Sequence, residues 1–254
     1  MIIAEKLTKT FPGKDAVREL TFTVNKGEIV GFLGPNGAGK STTVKMLTGM
    51  ILPTSGRAEV AGFDVIKQPL EAKKRLGYVP ESGALFETLT GGEYLRFIAD
   101  LHHLNRESAG RRADEFLDLF GMLPVKDQRL QEYSRGMKQK VLIAAALIHQ
   151  PEVLFLDEPL NGLDANAALV FKEIIKRLSA QGITMLFCSH ILDVVEKLCP
   201  RIIILNEGSI IAEGTPEKIA HQAGEKNLEE AFCKLTGVRD ARESAREFLE
   251  ALGR

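Results

Sequence analysis

The residue types and spacing that bind phosphate groups occur in one segment of eight residues, Gly34-Pro35-Asn36-Gly37-Ala38-Gly39-Lys40-Ser41. The segment fits the pattern G-x-x-x-x-G-K-[ST], in which backbone N–H groups surround phosphate oxygens and the lysine reaches the outer phosphates. The apolar run 29–33 before it predicts a buried strand, and residues 41–47 predict the start of a helix. The positive end of that helix dipole would face the phosphates. The segment therefore predicts a site for a nucleoside triphosphate.

A second polar group follows the apolar run 153–156. Asp157 and Glu158 would lie at the carboxyl edge of a parallel sheet, where ligands bind in such folds. We expect Asp157 and the Ser41 hydroxyl to hold Mg²⁺, and Glu158 to orient or deprotonate an attacking water. The residues expected to contact the nucleotide in this region are Gly34, Pro35, Asn36, Gly37, Ala38, Gly39, Lys40, Ser41 and Thr42.

The composition suits one large domain, or a domain with a subdomain, because 44% of the 254 residues are hydrophobic and 26% are charged. A net charge of −1 produces no overall field that would attract nucleic acid. No apolar run reaches the roughly 18 residues of a membrane span, and the N-terminus lacks the features of a signal peptide. We therefore expect that the chain does not cross a membrane by itself. The three cysteines are too few and too far apart for a disulfide framework or a metal site.

The order of predicted elements indicates an α/β fold. The first third is rich in strands, predicted at 2–7, 20–24, 28–33, 57–60 and 75–79. The middle is helical, with helices predicted at 92–103, 107–120 and 136–149. The last third alternates, with strands at 153–156, 183–188, 201–205 and 209–212 and helices at 166–180 and 191–198. This alternation predicts a mostly parallel sheet with helices on both faces, into which a helical subdomain of about 82–150 is inserted. The charged tail from residue 227 predicts further helix, including an amphipathic helix over 240–252.

Three further motifs complete an ordered set: Tyr133-Ser134-Arg135-Gly136-Met137-Lys138-Gln139, Leu160-Asn161-Gly162-Leu163-Asp164 and Ser189-His190. In this order and spacing the chain resembles the ATP-binding subunit of an ABC transporter over about residues 2–220. The resemblance implies a P-loop NTPase fold of the ABC type, with an N-terminal antiparallel β subdomain and the inserted helical subdomain. It also implies an ATP-binding domain over 1–220 and a C-terminal helical extension over 221–254.

The resemblance implies roles for several side chains. Ser134, which fits a helix N-cap, and Gly136 would contact the γ-phosphate of ATP held by a second copy of the chain or a related subunit, in a head-to-tail dimer. His190 would contact the γ-phosphate and help to position the water. Phe11 would stack on adenine, although packing of this ring under its turn is the alternative.

Three positions depart from the usual family pattern. Glu81 stands where the family commonly has the glutamine that binds Mg²⁺, a role that a carboxylate can also fill. The segment 133–139 corresponds to the signature motif of the family, and Arg135 and Met137 replace a glycine and a glutamine of that motif. With these features the chain is similar to the prokaryotic exporter branch of the family.

The function implied by the resemblance is ATP hydrolysis, with Mg²⁺, that powers export through separate integral membrane subunits. The protein would then be cytoplasmic and peripheral to the inner face of the cell membrane. The alternative is a cytosolic ABC-type ATPase that acts in the assembly or regulation of a soluble complex. We expect no nucleic-acid partner, since the chain has no coiled-coil insertion, second ATPase domain or marked basic excess.

Overall fold

The computed structural model of the chain describes residues 1–81, 83 and 85–238. The strands are β1 (Ile2–Phe11), β2 (Lys14–Val24), β3 (Ile29–Leu33), β4 (Ser55–Val60), β5 (Phe63–Asp64), β6 (Leu76–Val79), β7 (Val153–Asp157), β8 (Thr184–Cys188), β9 (Arg201–Asn206) and β10 (Ser209–Gly214). The α-helices are α1 (Lys40–Leu47), α2 (Pro69–Arg75), α3 (Gly91–Leu101), α4 (Arg106–Leu119), α5 (Arg135–Leu147), α6 (Ala165–Ala180), α7 (Leu192–Leu198), α8 (Pro216–Ala223) and α9 (Leu228–Thr236).

The strands form two sheets. One has the order β10-β9-β3-β8-β7-β6, in which all neighbours are parallel except the β9–β10 hairpin. The other is antiparallel, with the order β2-β1-β4-β5. The expected α/β fold with a mostly parallel core and an N-terminal antiparallel sheet is therefore confirmed.

The parallel sheet separates two hydrophobic cores, because alternate residues of a strand point to opposite faces. Val30 and Phe32 of β3 pack with α1 and the antiparallel sheet. Ile29 and Leu33 pack on the other side, with the helices that follow β7 and β8. The carboxyl ends of β3 and β7 meet the solvent at one edge, and the polar residues that follow them are thereby brought together.

Several elements differ from the sequence expectation. β1 and β2 are longer than expected, because backbone pairing continues through polar residues such as Thr8 and Thr10, which carry no hydrophobic signal. Helix α2 was not predicted, although Pro69 at its start and Lys73, Lys74 and Arg75 in its last turn are typical helix-end residues.

The middle of the chain, from α3 to α5, contains only α-helices and two short 3₁₀ helices, at Leu123–Val125 and Leu130–Glu132. In this part Arg112 of α4 donates a hydrogen bond to the Ile148 carbonyl oxygen. The boundary expected near residue 220 falls inside α8, and the amphipathic helix expected over 240–252 lies outside the described residues. No helix among residues 1–81, 83 and 85–238 is long and apolar enough to cross a membrane.

Two stacked histidines join the helical part to the sheet. The rings of His102, after α3, and His149, after α5, lie 3.7 Å apart and nearly parallel. Nε2 of His149 donates to the Leu76 carbonyl oxygen, 2.9 Å away, whereas its buried Nδ1 has no partner in the described part of the chain. Burial, and then the neighbouring His102, lowers the pKa of His149 to about 4.

We therefore expect the free energy of unfolding to decrease as the pH falls from about 6.5 towards 4, because the unfolded chain takes up a proton that the folded chain excludes. For this group the decrease should be about 1 kcal/mol per pH unit, since the ring is not fully buried. A His149→Gln variant keeps a donor for Leu76 and should lack this part of the pH dependence. Urea unfolding across that pH range measures it, and equal losses in both proteins would contradict the assignment.

Candidate functional site

The phosphate-binding segment forms a tight loop between β3 and α1. Gly37 and Gly39 adopt left-handed backbone angles, with φ of 81° and 105°. A Cβ on Gly39 would lie 2.6 Å from the Ala16 carbonyl oxygen, and one on Gly34 would lie 2.5 Å from the Leu205 carbonyl oxygen. Because neither position can hold a larger residue without moving the backbone, the loop shape depends on its glycines.

Helix α1 begins at this loop without a side-chain cap. Its N-cap residue is Gly39, and no side chain accepts hydrogen bonds from the first-turn N–H groups. In contrast, the side chains of Thr90, Ser134 and Asp164 cap α3, α5 and α6. An uncapped helix N-terminus that faces a cavity is suited to binding an anion.

Lys40 is folded back onto the loop. Its ammonium donates to the carbonyl oxygens of Gly34 and Pro35, at 2.5 and 3.0 Å. These neutral acceptors are weaker partners than phosphate oxygens. The Lys40 ammonium therefore already lies at the phosphate loop, where phosphate oxygens can replace these carbonyl oxygens as its acceptors.

Asp157 ends β7 at the edge of the sheet and Glu158 follows it, and the two residues are only 3% and 8% exposed. Burial raises the pKa of Asp157, and the charges of Glu81 and Glu158 act in the same direction, whereas a hydrogen bond from Ser41 opposes them. An ion with positive charge would relieve the repulsion among these carboxylates.

Glu158 is held in a strained and well-defined position. Its φ of 50° lies in the left-handed region, and its N–H donates to the Cys188 carbonyl oxygen at 2.9 Å. Its Oε2 lies 2.9 Å from Nδ1 of His190 and accepts from the Ser189 hydroxyl at 3.3 Å. Strained conformations of this kind often occur at functional sites, where the surrounding contacts maintain them.

These residues surround one cavity of about 380 Å³, which we call the inner cavity. It brings together most of the predicted site residues. Its lining comprises Phe11, Lys14, Ala16, Asn36, Gly37, Gly39, Lys40, Ser41, Thr42, Glu81, Asp157, Glu158 and His190. Gly34, Pro35 and Ala38 belong to the same loop but do not line the cavity.

Phe11 is 40% exposed and lines the inner cavity, so its ring is not packed beneath its turn. Lys9 places its ammonium 5.1 Å from the centre of the ring. Lys14 and Ala16 also line the cavity but were not predicted. Their position just after Phe11 is the only signal in the sequence that could have identified them.

Ser134 and Gly136 do not line the inner cavity. The Ser134 hydroxyl caps α5 by accepting from the Met137 N–H at 3.2 Å. A Cβ on Gly136 would lie 2.3 Å from the Gly162 carbonyl oxygen, so the start of α5 packs directly on the loop after Glu158.

Two hydrogen bonds fix this contact between α5 and the loop. The buried amide of Gln139 donates to the Pro159 carbonyl oxygen at 3.1 Å. Lys140 and Asp164 form an ion pair at 3.0 Å. The N-terminus of α5 is thus held to the segment that carries Glu158, but the Ser134 hydroxyl does not reach the phosphate loop of its own chain.

Comparisons with known proteins agree with this architecture. The family model described as ABC transporter matches residues 17–161, more than half of the chain. The ABC transporter ATP-binding protein NatA of Bacillus subtilis (strain 168) is 39% identical over 219 residues, which cover 85% of this chain and 89% of NatA. The linearmycin resistance ATP-binding protein LnrL of the same organism is 38% identical over 224 residues, covering 88% of this chain and 72% of LnrL.

A solved structure, described as an ATP-binding subunit of an ABC transporter, is 32% identical and has a TM-score of 0.87. The alignment covers 92% of this chain and 99% of that one. The inner cavity, the order of its motifs and these similarities lead to one conclusion. The chain belongs to the ABC transporter family, as one of its ATP-binding subunits.

Proposed function

We propose that the chain hydrolyses ATP and that this reaction powers export through separate membrane subunits. The observation that carries the proposal is that one cavity is lined by Lys40, Ser41, Asp157 and Glu158. A lysine and a helix N-terminus can hold the phosphates, while two buried carboxylates can hold a metal ion and a water. These are the parts that phosphoryl transfer requires.

Binding of ATP would draw Lys40 away from the carbonyl oxygens of Gly34 and Pro35. The charged oxygens of the β- and γ-phosphates are stronger acceptors for its ammonium. The phosphates would also accept from the free N–H groups at the start of α1. The exposed face of Phe11 would stack on adenine, a contact worth about 1–3 kcal/mol.

Mg²⁺ suits the oxygen donors of the inner cavity. The Ser41 hydroxyl and the carboxylates of Asp157 and Glu81 are hard ligands of the kind that Mg²⁺ prefers. Bound Mg²⁺ would neutralise negative charge on the phosphates. Because Glu81 replaces a neutral glutamine, three carboxylates line this cavity, and their repulsion favours binding of the nucleotide together with a cation.

Glu158 would orient the attacking water and accept its proton. Both side-chain contacts described for Glu158 use Oε2, with His190 and Ser189 as partners, so Oε1 is free to face the water. The water oxygen would bond to the γ-phosphorus as the bond from that phosphorus to the bridging oxygen breaks. ADP and phosphate would then leave the site. The proton would remain on Glu158 until Glu158 releases it to the solvent.

The site would be completed by a second subunit in a head-to-tail dimer. The Ser134 hydroxyl lies outside the inner cavity of its own chain, at the uncovered start of α5. An exposed helix N-terminus is suited to the γ-phosphate held by another P-loop. The contact between Gly136 and Gly162 would link this second anion site to the segment that carries Glu158.

Movement would pass to the membrane subunits through the segment 81–86 and the helices that follow it. Phe86 is 58% exposed and packs edge-to-face on Phe97, with ring centres 5.4 Å apart. Lys138 of α5 forms an ion pair with Glu87 at 2.5 Å. Glu87 directly follows the segment, so this ion pair connects the segment to α5. The exposed aromatic pair would pack against an apolar surface of a membrane subunit.

Attachment to membrane subunits would place the protein on the cytoplasmic face of the cell membrane. LnrL is named for resistance to linearmycin. Resistance that depends on a transporter is achieved by moving the toxic compound out of the cell, so this relative favours export.

We expect an affinity-tagged chain to co-purify from its native membranes with a protein that has several membrane-spanning segments. A Phe86→Asp variant should recover several-fold less of this partner, because a charge would have to be buried at the interface. Leu169, which is 65% exposed on α6, provides the control variant Leu169→Asp. Recovery of a purely soluble complex would contradict the export function and favour an ATPase that acts in assembly or regulation.

A further inference from the structure

A second, outer cavity of about 680 Å³ adjoins the inner one. The two share Phe11, Lys14 and Gly37. Glu81, Glu158 and His190, which would surround the γ-phosphate, line only the inner cavity. The shared residues therefore lie towards the nucleoside end of the site.

The β1–β2 hairpin places Lys14 beside Phe11. These two residues are paired across the strands, on either side of the turn Pro12-Gly13. Gly13 has a φ of 77°, which fits a Pro-Gly turn. Side chains of directly paired residues share one face of a sheet, with Cβ atoms about 5 Å apart. The Lys14 side chain therefore starts beside the ring expected to stack on adenine, and both residues line the inner cavity.

Lys14 also reaches the phosphate loop. Its Nζ lies 3.9 Å from the position that a Cβ on Gly37 would occupy. Within the described residues this ammonium has no hydrogen bond and no ion pair. Its neighbours are engaged, because Lys9 donates to the Leu52 carbonyl oxygen and Asp15 accepts from Thr10. Lys14 is a cation without a protein partner at the junction of the base and phosphate regions.

We propose that Lys14 binds the α- and β-phosphate oxygens of the nucleotide, as a second cation in addition to Lys40. This proposal rests on the nucleotide site described above. Because the contact lies on the nucleoside side of the γ-phosphate, it stabilises ATP and ADP alike. Lys14 is therefore a binding residue for the nucleotide, and the turn before it sets its distance from Phe11.

The test measures the dissociation constants of MgATP and MgADP by isothermal titration calorimetry, with the Glu158→Gln chain as the background so that ATP is not consumed. Adding Lys14→Gln should weaken the binding of both nucleotides by about tenfold, near the lower end of the range for loss of a hydrogen bond to a charged group. Adding Lys14→Arg should keep the affinity within about twofold. The affinity of the Lys14→Gln protein should also depend less steeply on salt, because one charge contact is missing.

Lys176, which is exposed on α6 and lines neither cavity, provides the control Lys176→Gln, which makes the same change in net charge. Unchanged affinities in Lys14→Gln, an equal loss in Lys176→Gln, or a loss for ATP alone would each overturn the assignment. If the wild-type chain did not bind MgADP, the proposed nucleotide site itself would fail. Lys14 is exposed, so equal melting temperatures without nucleotide will show that the variants are folded.

Discussion

Replacement of Glu158 by glutamine is expected to remove most ATP hydrolysis while ATP still binds. The amide keeps the size of the side chain and can still contact His190 and Ser189 through its oxygen or nitrogen. It cannot accept a proton from the attacking water. Loss of a general base typically lowers the rate by about 10²- to 10⁴-fold. Phosphate release measures the rate, and titration with a fluorescent ATP analogue measures binding.

Glu196→Gln is the matched control, since Glu196 is exposed on α7 and makes the same change in charge. It should hydrolyse ATP at the wild-type rate. Wild-type turnover in Glu158→Gln would show that another group accepts the proton. A loss of ATP binding in the same variant would show that the carboxylate has a structural role instead.

Much of the fold and the inner cavity could be predicted because the signals are local. The apolar run before Asp157 identifies a buried strand, and the position of a residue just after such a strand fixes its place at the carboxyl edge. The glycines of the phosphate loop likewise specify a backbone shape that needs no tertiary information. Asp157 and Lys40 therefore face one cavity, as predicted.

Other features arise only in the folded chain. The left-handed backbone of Glu158 and its contact with His190 depend on the register of β7 against β8, which pairs Asp157 with Cys188. Nothing in the local sequence indicates that register. Lys14 is one of many surface lysines until the hairpin places it beside the phosphate loop.

The departures in the signature motif can be understood from its backbone. Ser134 caps α5 through the N–H of residue 137, a contact that does not depend on the Met137 side chain. Arg135 is exposed, and the three atoms nearest to a Cβ on Gly162 would be Cγ and the carbonyl carbon of Arg135 and the backbone nitrogen of Gly136. Gly136 is the position that close packing restricts, and it is a glycine. The helix N-terminus is thus available as an anion site despite both substitutions.

The head-to-tail dimer predicts that two inactive variants will restore activity when mixed. Lys40→Ala removes the phosphate-binding ammonium. Ser134→Asp keeps an N-cap side chain for α5 but places a negative charge against the γ-phosphate. Each variant alone has the same lesion at both sites of its dimer, so its rate should be near background. A mixed dimer combines the P-loop of the Ser134→Asp chain with the intact signature of the Lys40→Ala chain at one site.

In an equal mixture about half of the dimers are mixed, and each has one intact site of two, so the rate should reach about a quarter of the wild-type value when the sites act independently. Phosphate release from a series of mixing ratios should be greatest at equal amounts. Ser134→Thr, which keeps the hydroxyl, should remain active, and mixing Lys40→Ala with Lys40→Met should restore nothing. If the rate of phosphate release at every mixing ratio stays at the level of the separate variants, the site is not shared between subunits. A site formed by the phosphate loop and the signature motif of one chain would keep its lesion in every mixture.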